Sequence, residues 1–387
     1  MSDRDVVIVE AVRTAVGRRG GSLSGVHPVP LLAQVLQELM RRAGLSPDVV
    51  EDVVSGCVDQ AGEQALNVAR NALLTAGFSY TIPATTVDRQ CGSAQQAIHF
   101  AANLVQADVC DVTIGCGVEN MTRVPMGANV SSGPGTPFPP ELRDQYHLTS
   151  QGISADEIAK KWGINREQVD RFSYESHMKA ARARDEGRFK REILPVPVSL
   201  EGVETTFEQD EGIRPTTTME KLANLQPAFR EDGVHTAGNS SQISDGAAAV
   251  LLMTSAKAKE LGVKPRARIL AQAVVGSDPI LMLTGPITAT PKVLDKAGLK
   301  LDDIDLVEIN EAFAAVVLAW EKELGPDMSK VNVNGGAIAM GHPLGCTGAK
   351  LMTTLLHELE RTGGRYGLQT MCCGGGLGTA TVIERLD

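Results

Sequence analysis

A chain of 387 residues is long enough for two or three domains and a large apolar core. Its 43% hydrophobic and 22% charged residues match a soluble globular protein, and a net charge of −10 excludes a general nucleic-acid binder, though not a local basic patch for an anionic ligand. No run approaches the roughly 20 apolar residues of a membrane span.

The mixed-charge start Met1-Ser2-Asp3-Arg4-Asp5 is unlike a secretory signal. Residues 6–12 read as a buried strand and 17–25 as a glycine-rich loop. Residues 30–43 read as a helix that stops at Gly44, 50–58 as a strand, and 67–76 as a helix that stops at Gly77. A third strand, 84–87, runs into Asp88-Arg89-Gln90-Cys91-Gly92-Ser93-Ala94 and a helix at 94–106. A fourth, 109–114, ends at Gly115-Cys116-Gly117. This alternation predicts a largely parallel sheet covered on both faces.

From about Glu119 to Val234 the chain turns polar and strand-poor, as expected of an inserted subdomain. It contains helices at 154–161, with Ser154 as N-cap and Glu157 completing a capping box, and at 166–186. Residues 247–253 return as a buried strand. A second series follows: strand 266–276, helix 291–297, strand 305–308, helix 311–324, strand 331–333, helix 347–360 and strand 368–371. In both series a strand enters a helix through a small-residue turn, Gln90-Cys91-Gly92-Ser93-Ala94 and Leu344-Gly345-Cys346-Thr347-Gly348. The parallel predicts an internal duplication.

Four residues at strand ends carry reactive chemistry. Cys91 lies at a helix N-terminus, where unpaired N–H groups and the helix dipole lower a thiol pKa and offer an oxyanion site; the alternative is a small buried apolar residue. His342, in Gly341-His342-Pro343, is a base titrating near neutrality, or a turn histidine bonded to backbone. Cys372 is a second acid/base, and strand alternation turns its neighbour Cys373 to the other face. Asn310 either orients a water or caps the next helix. The seven cysteines are scattered and lack a CxxC pair, which favours thiols in a reducing cytoplasm. Neither a P-loop, a dinucleotide fingerprint nor a zinc set is present.

Together, Cys91-Gly92-Ser93-Ala94, Asn310-Glu311-Ala312-Phe313, Gly341-His342-Pro343-Leu344-Gly345 and Cys372-Cys373-Gly374-Gly375-Gly376-Leu377-Gly378 resemble the four catalytic motifs of the thiolases. The resemblance runs the whole chain and implies an α/β fold of five layers, αβαβα, made of two duplicated halves. Residues 1–118 plus 236–262 would form the N-terminal half, 119–235 an inserted loop domain for CoA, and 263–387 the C-terminal half. The implied reaction is thiolytic cleavage of a 3-ketoacyl-CoA by CoA, or the reverse Claisen condensation. In it Cys91 is the acylated nucleophile, His342 its base and Cys372 the second acid/base. Asn310 holds a water that shares one oxyanion hole with His342, and the N–H groups of Cys91 and Gly374 form the other.

By position, Gln151, Arg214, Thr216 and Ser241 match the CoA contacts. The resemblance requires no metal and no tightly bound cofactor, coenzyme A and acyl-CoA being substrates, and it implies a homodimer or homotetramer. The Gln95-Gln96 pair and Ser241-Gln242-Ile243-Ser244 resemble members acting on bulky or steroid side-chain acyl groups. Two alternatives stand beside this. A β-ketoacyl synthase-like enzyme shares fold and nucleophile but lacks the second cysteine, and a non-catalytic acyl-CoA or lipid carrier would leave Cys91 unacylated.

Overall fold

The computed structural model describes residues 2–131 and 133–387. The first half comprises β1 (Val6–Thr14), α1 (Pro28–Ala43), β2 (Asp52–Gly56), α2 (Val68–Thr75), β3 (Ala84–Val87), α3 (Ser93–Gln106) and β4 (Val112–Asn120). The chain leaves the sheet after Asn120 and forms α4 (Gln151–Lys161), α5 (Arg166–Asp185) and the hairpin β5 (Val196–Leu200) and β6 (Val203–Phe207). It returns as β7 (Ser244–Thr254). The second half runs β8 (Ala267–Gly276), α6 (Gly285–Ala297), β9 (Leu306–Ile309), α7 (Ala314–Leu324), α8 (Thr347–Thr362), β10 (Tyr366–Cys373) and β11 (Leu377–Arg385).

The strands form one sheet in the order β9-β10-β11-β8-β1-β7-β4-β2-β3, with two-residue strands Gly17–Arg18 against β7 and Ile193–Leu194 against β1. Within the sheet a short ladder, Val7 to Arg268 and Ile8 to Ala267, joins the halves. Each half has the same internal order. β3-β2-β4-β7-β1 in the first is matched by Val331-β9-β10-β11-β8 in the second, with Val331 reduced to one parallel bridge to Val307. The duplication is thus visible in the topology.

Helices α3 and α8 cross between the halves and share a core with both. Ala97, Ile98 and Ala101 of α3 meet Ala349, Met352 and Leu356 of α8, over Val54 and Val250 on one side and Leu306 and Ile383 on the other. A Cβ at Gly348 would lie 2.1 Å from the Gln95 nitrogen, so the crossing requires glycine there. On the outer faces, Leu31, Val35 and Leu39 of α1 cover Val7 and Leu251, while Val293 of α6 and Trp320 of α7 cover Ala273 and Leu368. The result is five layers, αβαβα. No helix among the described residues is long and apolar enough to cross a membrane.

Several sequence expectations need correction. The sheet is mixed, because β7 runs antiparallel between β1 and β4 and β10-β11 is a hairpin. The predicted strand at 331–333 is one bridge: Asn332 has φ 44°, and its side chain occupies the N–H and C=O of Ile309. The strand predicted to stop at 114 continues to Asn120. Ser150, not Ser154, caps α4, since Ser154 is buried and bonded to the Ile280 carbonyl. The helix predicted from 311 begins at Ala314 without a side-chain cap. The inserted region is also less strand-poor than read, as its hairpin shows.

Candidate active site

The turn carrying Cys91 is fixed by its own side chains. Gln90 sits at φ 51°, and its N–H donates to Asp88 Oδ1 at 2.6 Å. Ser93 Oγ accepts the Arg89 N–H at 2.8 Å and donates to the Gln90 carbonyl at 2.6 Å. A left-handed residue without glycine's freedom is a local cost that these bonds offset. Cys91 emerges just ahead of α3, 2% exposed.

Burial pushes its thiol up to about 11, while the N–H groups of Gly374 and Cys91 itself pull down and the charges of Asp88 and Glu119 push up again. The expected lowering at the helix N-terminus is therefore outweighed by desolvation, and the resting group is a thiol.

His342 follows a single helical turn, Ala337–Met340, and Gly341 at φ 104°. Its Nδ1 lies 2.5 Å from Thr347 Oγ1, which donates its own hydrogen to the Pro343 carbonyl at 2.8 Å. Thr347 can then only accept from the ring, so the proton sits on Nδ1 and Nε2 carries a free lone pair. Nε2 faces Asn310 Nδ2 at 3.3 Å.

Burial, with the Lys350 ammonium adding, drives the imidazole down to about 3 instead of leaving it near neutrality. It is neutral across the physiological range and able to accept a proton. Asn310, where β9 ends, caps no helix; its Oδ1 is buried without a partner among the described residues, the condition in which an ordered water is expected.

Cys372 and Cys373 close β10 and point to opposite faces. Cys372 packs among Met282, Leu283, Phe313 and Ile338. Cys373 lies so close to the nucleophile turn that a Cβ on Gly92 would come 2.6 Å from its sulfur. Burial raises both thiols, and the Cys91 sulfur raises each further, so both lie within its electrostatic reach.

Gly374 opens the following turn. A Cβ there would lie 2.8 Å from Gln151 Nε2 and 3.1 Å from Gln90 Oε1. Its N–H bonds to the Cys91 sulfur.

Of the positions expected to meet CoA, Gln151 is thus brought to the rim at Gly374. Ser241 is half-buried, its N–H on the Ala312 carbonyl at 2.9 Å, one residue from Phe313. Arg214 and Thr216 are exposed on the inserted region and do not approach the thiols by any bond. Of the Gln95-Gln96 pair, Gln95 is held by Thr379 and Thr381 between α3 and β11. Sequence reading missed Thr347, which sets the tautomer, and Glu119, which bonds the N–H of Gly345 in the histidine turn. An acidic residue inside an otherwise apolar strand was the available signal for the second.

Two family models cover nearly the whole chain, the thiolase N-terminal domain over residues 6–256 and the thiolase C-terminal domain over 263–385. The chain is 49% identical to the steroid 3-ketoacyl-CoA thiolase FadA6 of Mycobacterium tuberculosis, over 99% of this chain and 94% of that one. It is 46% identical to a 3-ketoacyl-CoA thiolase of Bacillus subtilis, over 98% and 99%. The crystal structure of the Bacillus anthracis acetyl-CoA acetyltransferase superposes with a TM-score of 0.91 at 43% identity, covering 99% of each chain. By sequence, fold and the order of its motifs, this chain belongs to the thiolase family.

Proposed function

We propose that the protein catalyses CoA-dependent thiolysis of a 3-ketoacyl-CoA and, in reverse, Claisen condensation. The observations that carry this are two buried pairs, His342 Nε2 facing Asn310 Nδ2 at 3.3 Å and Cys372 within electrostatic reach of Cys91, with Leu344 of the histidine turn and Met371 ahead of Cys372 in one apolar cluster with Cys91. Cys91 Sγ attacks the C3 carbonyl of the substrate while its proton passes to His342 Nε2. Because the resting pair is thiol and imidazole, that transfer accompanies attack rather than preceding it.

The C2–C3 bond then breaks. The acyl chain stays on Cys91 as a thioester, and the departing acetyl-CoA enolate takes a proton at C2 from Cys372. Incoming CoA gives its thiol proton to the Cys372 thiolate and attacks the thioester, and Cys91 leaves and is reprotonated by His342. The N–H groups of Cys91 and Gly374 stabilise the charge on the acyl oxygen. His342 Nε2–H and a water on Asn310 do so for the enolate thioester oxygen.

CoA is bound along Gln151, Arg214, Thr216 and Ser241, supported by Gln151 at the Gly374 rim. A bulky or steroid-derived acyl group is the finer substrate reading, supported by the 49% identity to FadA6. A homodimer or homotetramer is supported by β3, which among the described residues is an edge strand paired only with β2, beside Leu66 and Tyr80 at 91% and 79% exposure. A thiol nucleophile suits a reducing cytoplasm.

Acetoacetyl-CoA plus CoA, followed at the enolate absorbance, tests the reaction. A CoA-dependent loss is expected, and none would reject thiolysis. A kcat/KM series across acyl lengths and a sterol side-chain substrate tests the finer reading, and light scattering tests the assembly.

A further inference from the structure

Glu119, one residue from the end of β4, is buried, and its carboxylate is surrounded by donors rather than cations. Oε2 accepts the N–H of Val58 at 2.9 Å and of Gly345 at 2.8 Å. Oε1 accepts the Asp59 N–H at 3.1 Å, Gln64 Nε2 at 2.6 Å and, weakly, the Cys57 thiol at 3.8 Å. The side chain therefore ties the segment after β2 to the turn that carries His342. Titratable groups near it are Asp59 and Cys57 after β2, Cys91 ahead of α3 and Cys346 behind the turn, and among the described residues no lysine or arginine forms an ion pair with it.

Electrostatics alone argues against a carboxylate here, because its charge opposes the Cys91 thiolate. What it supplies is two oxygens able to accept three backbone N–H groups at once, which an amide cannot do.

The far side of the turn has equally little slack. A Cβ on Gly117 would come 2.0 Å from the Gly345 carbonyl oxygen, and one on Gly56 2.6 Å from it. Gly345 is thus held at its N–H by the carboxylate, while its C=O packs closely on two strands that present no side chain there. Within the turn, the Pro343 carbonyl receives the N–H groups of Cys346 and Thr347 and the Thr347 hydroxyl. That hydroxyl holds His342 Nδ1.

We propose that Glu119 is a positioning residue for the catalytic base: through the Gly345 N–H it fixes the turn at 341–348, and so aims His342 Nε2 at the reacting sulfur. This rests on the reading of His342 as the base. A misplacement of about 1 Å in such a group costs on the order of 100-fold in rate.

The test is a double-mutant cycle of Glu119→Gln and His342→Ala, read as the rate of Cys91 acetylation by acetyl-CoA in mass spectrometry. Glu119→Gln is expected to slow acetylation by about 100-fold, with KM for acyl-CoA within about twofold of wild type. On the His342→Ala background the same change should cost less than about threefold, since the base it aims is gone. Losses that multiply in the double mutant would overturn the positioning role. An undiminished rate in His342→Ala alone would instead overturn the base assignment on which it rests. Should Glu119→Gln fail to fold, the cycle runs with Glu119→Asp, which keeps the charge and shortens the reach, and the same additivity decides.

Discussion

The two halves share strand order and crossing helices, yet they supply different chemistry. The first gives one sulfur, on a strained turn ahead of α3. The second gives an imidazole, an amide and another sulfur from the ends of three segments. Aligned on their helix N-caps, Gly92 of α3 corresponds to Cys346 of α8, so Cys91 matches Gly345 rather than the cysteine of the second half. Cys346 accordingly lies in the apolar core between the halves.

The connections diverge as well. β10 and β11 are joined by a tight glycine turn, whereas the equivalent link from Asn120 to Ser244 holds the inserted region, whose α4 packs against α7. A duplicated scaffold thus became asymmetric at its strand ends while its core stayed alike. Strand ends are where side chains can change without disturbing the sheet.

The largest effect should come from removing the first half's reactive sulfur. Cys91→Ser is expected to cost at least about 10³-fold in turnover and to leave no acyl-enzyme in mass spectrometry. Retention of a tenth of the activity would place the nucleophile elsewhere.

His342→Ala tests the second half's base, with an expected fall of about 10² to 10⁴ in Cys91 acylation at neutral pH. The sign of its pH dependence follows from the raised thiol. Without the imidazole, reaction requires free thiolate, so iodoacetamide labelling of Cys91 should climb about tenfold per pH unit from neutrality towards 11. A flat profile in this variant would contradict it.

Cys372→Ala should separate the steps: condensation falls about 100-fold, while acetylation of Cys91 stays within about tenfold. Equal loss of both would mean the second sulfur serves acylation too. Smallest of all, Cys346→Ala should leave turnover unchanged and cost less than about 2 kcal/mol in denaturant unfolding, as a core thiol outside the site. A large catalytic loss there would restore the symmetry of the two turns.

Much of this site was legible one motif at a time. Cys91, Asn310, His342 and Cys372 stand beside glycine, or where a strand gives way to a turn or helix, and the apolar spacing of 347–360 marked α8 to within two residues. Other features were not. The lone Val331 bridge looks like a strand because Val-Asn-Val alternates, but the Asn332 side chain takes the bonds a strand partner would have made.

The chain's own order of residues determined the two-fold repeat, the helices of the core and which four side chains could react, because periodicity and turn chemistry act over a few neighbours. Tertiary structure alone decided the antiparallel return of β7, the protonation of Cys91 and His342, and the grip of Glu119 on a turn 226 residues away. Those depend on which groups are stripped of water together, and desolvation is a property of the assembled core rather than of any local stretch.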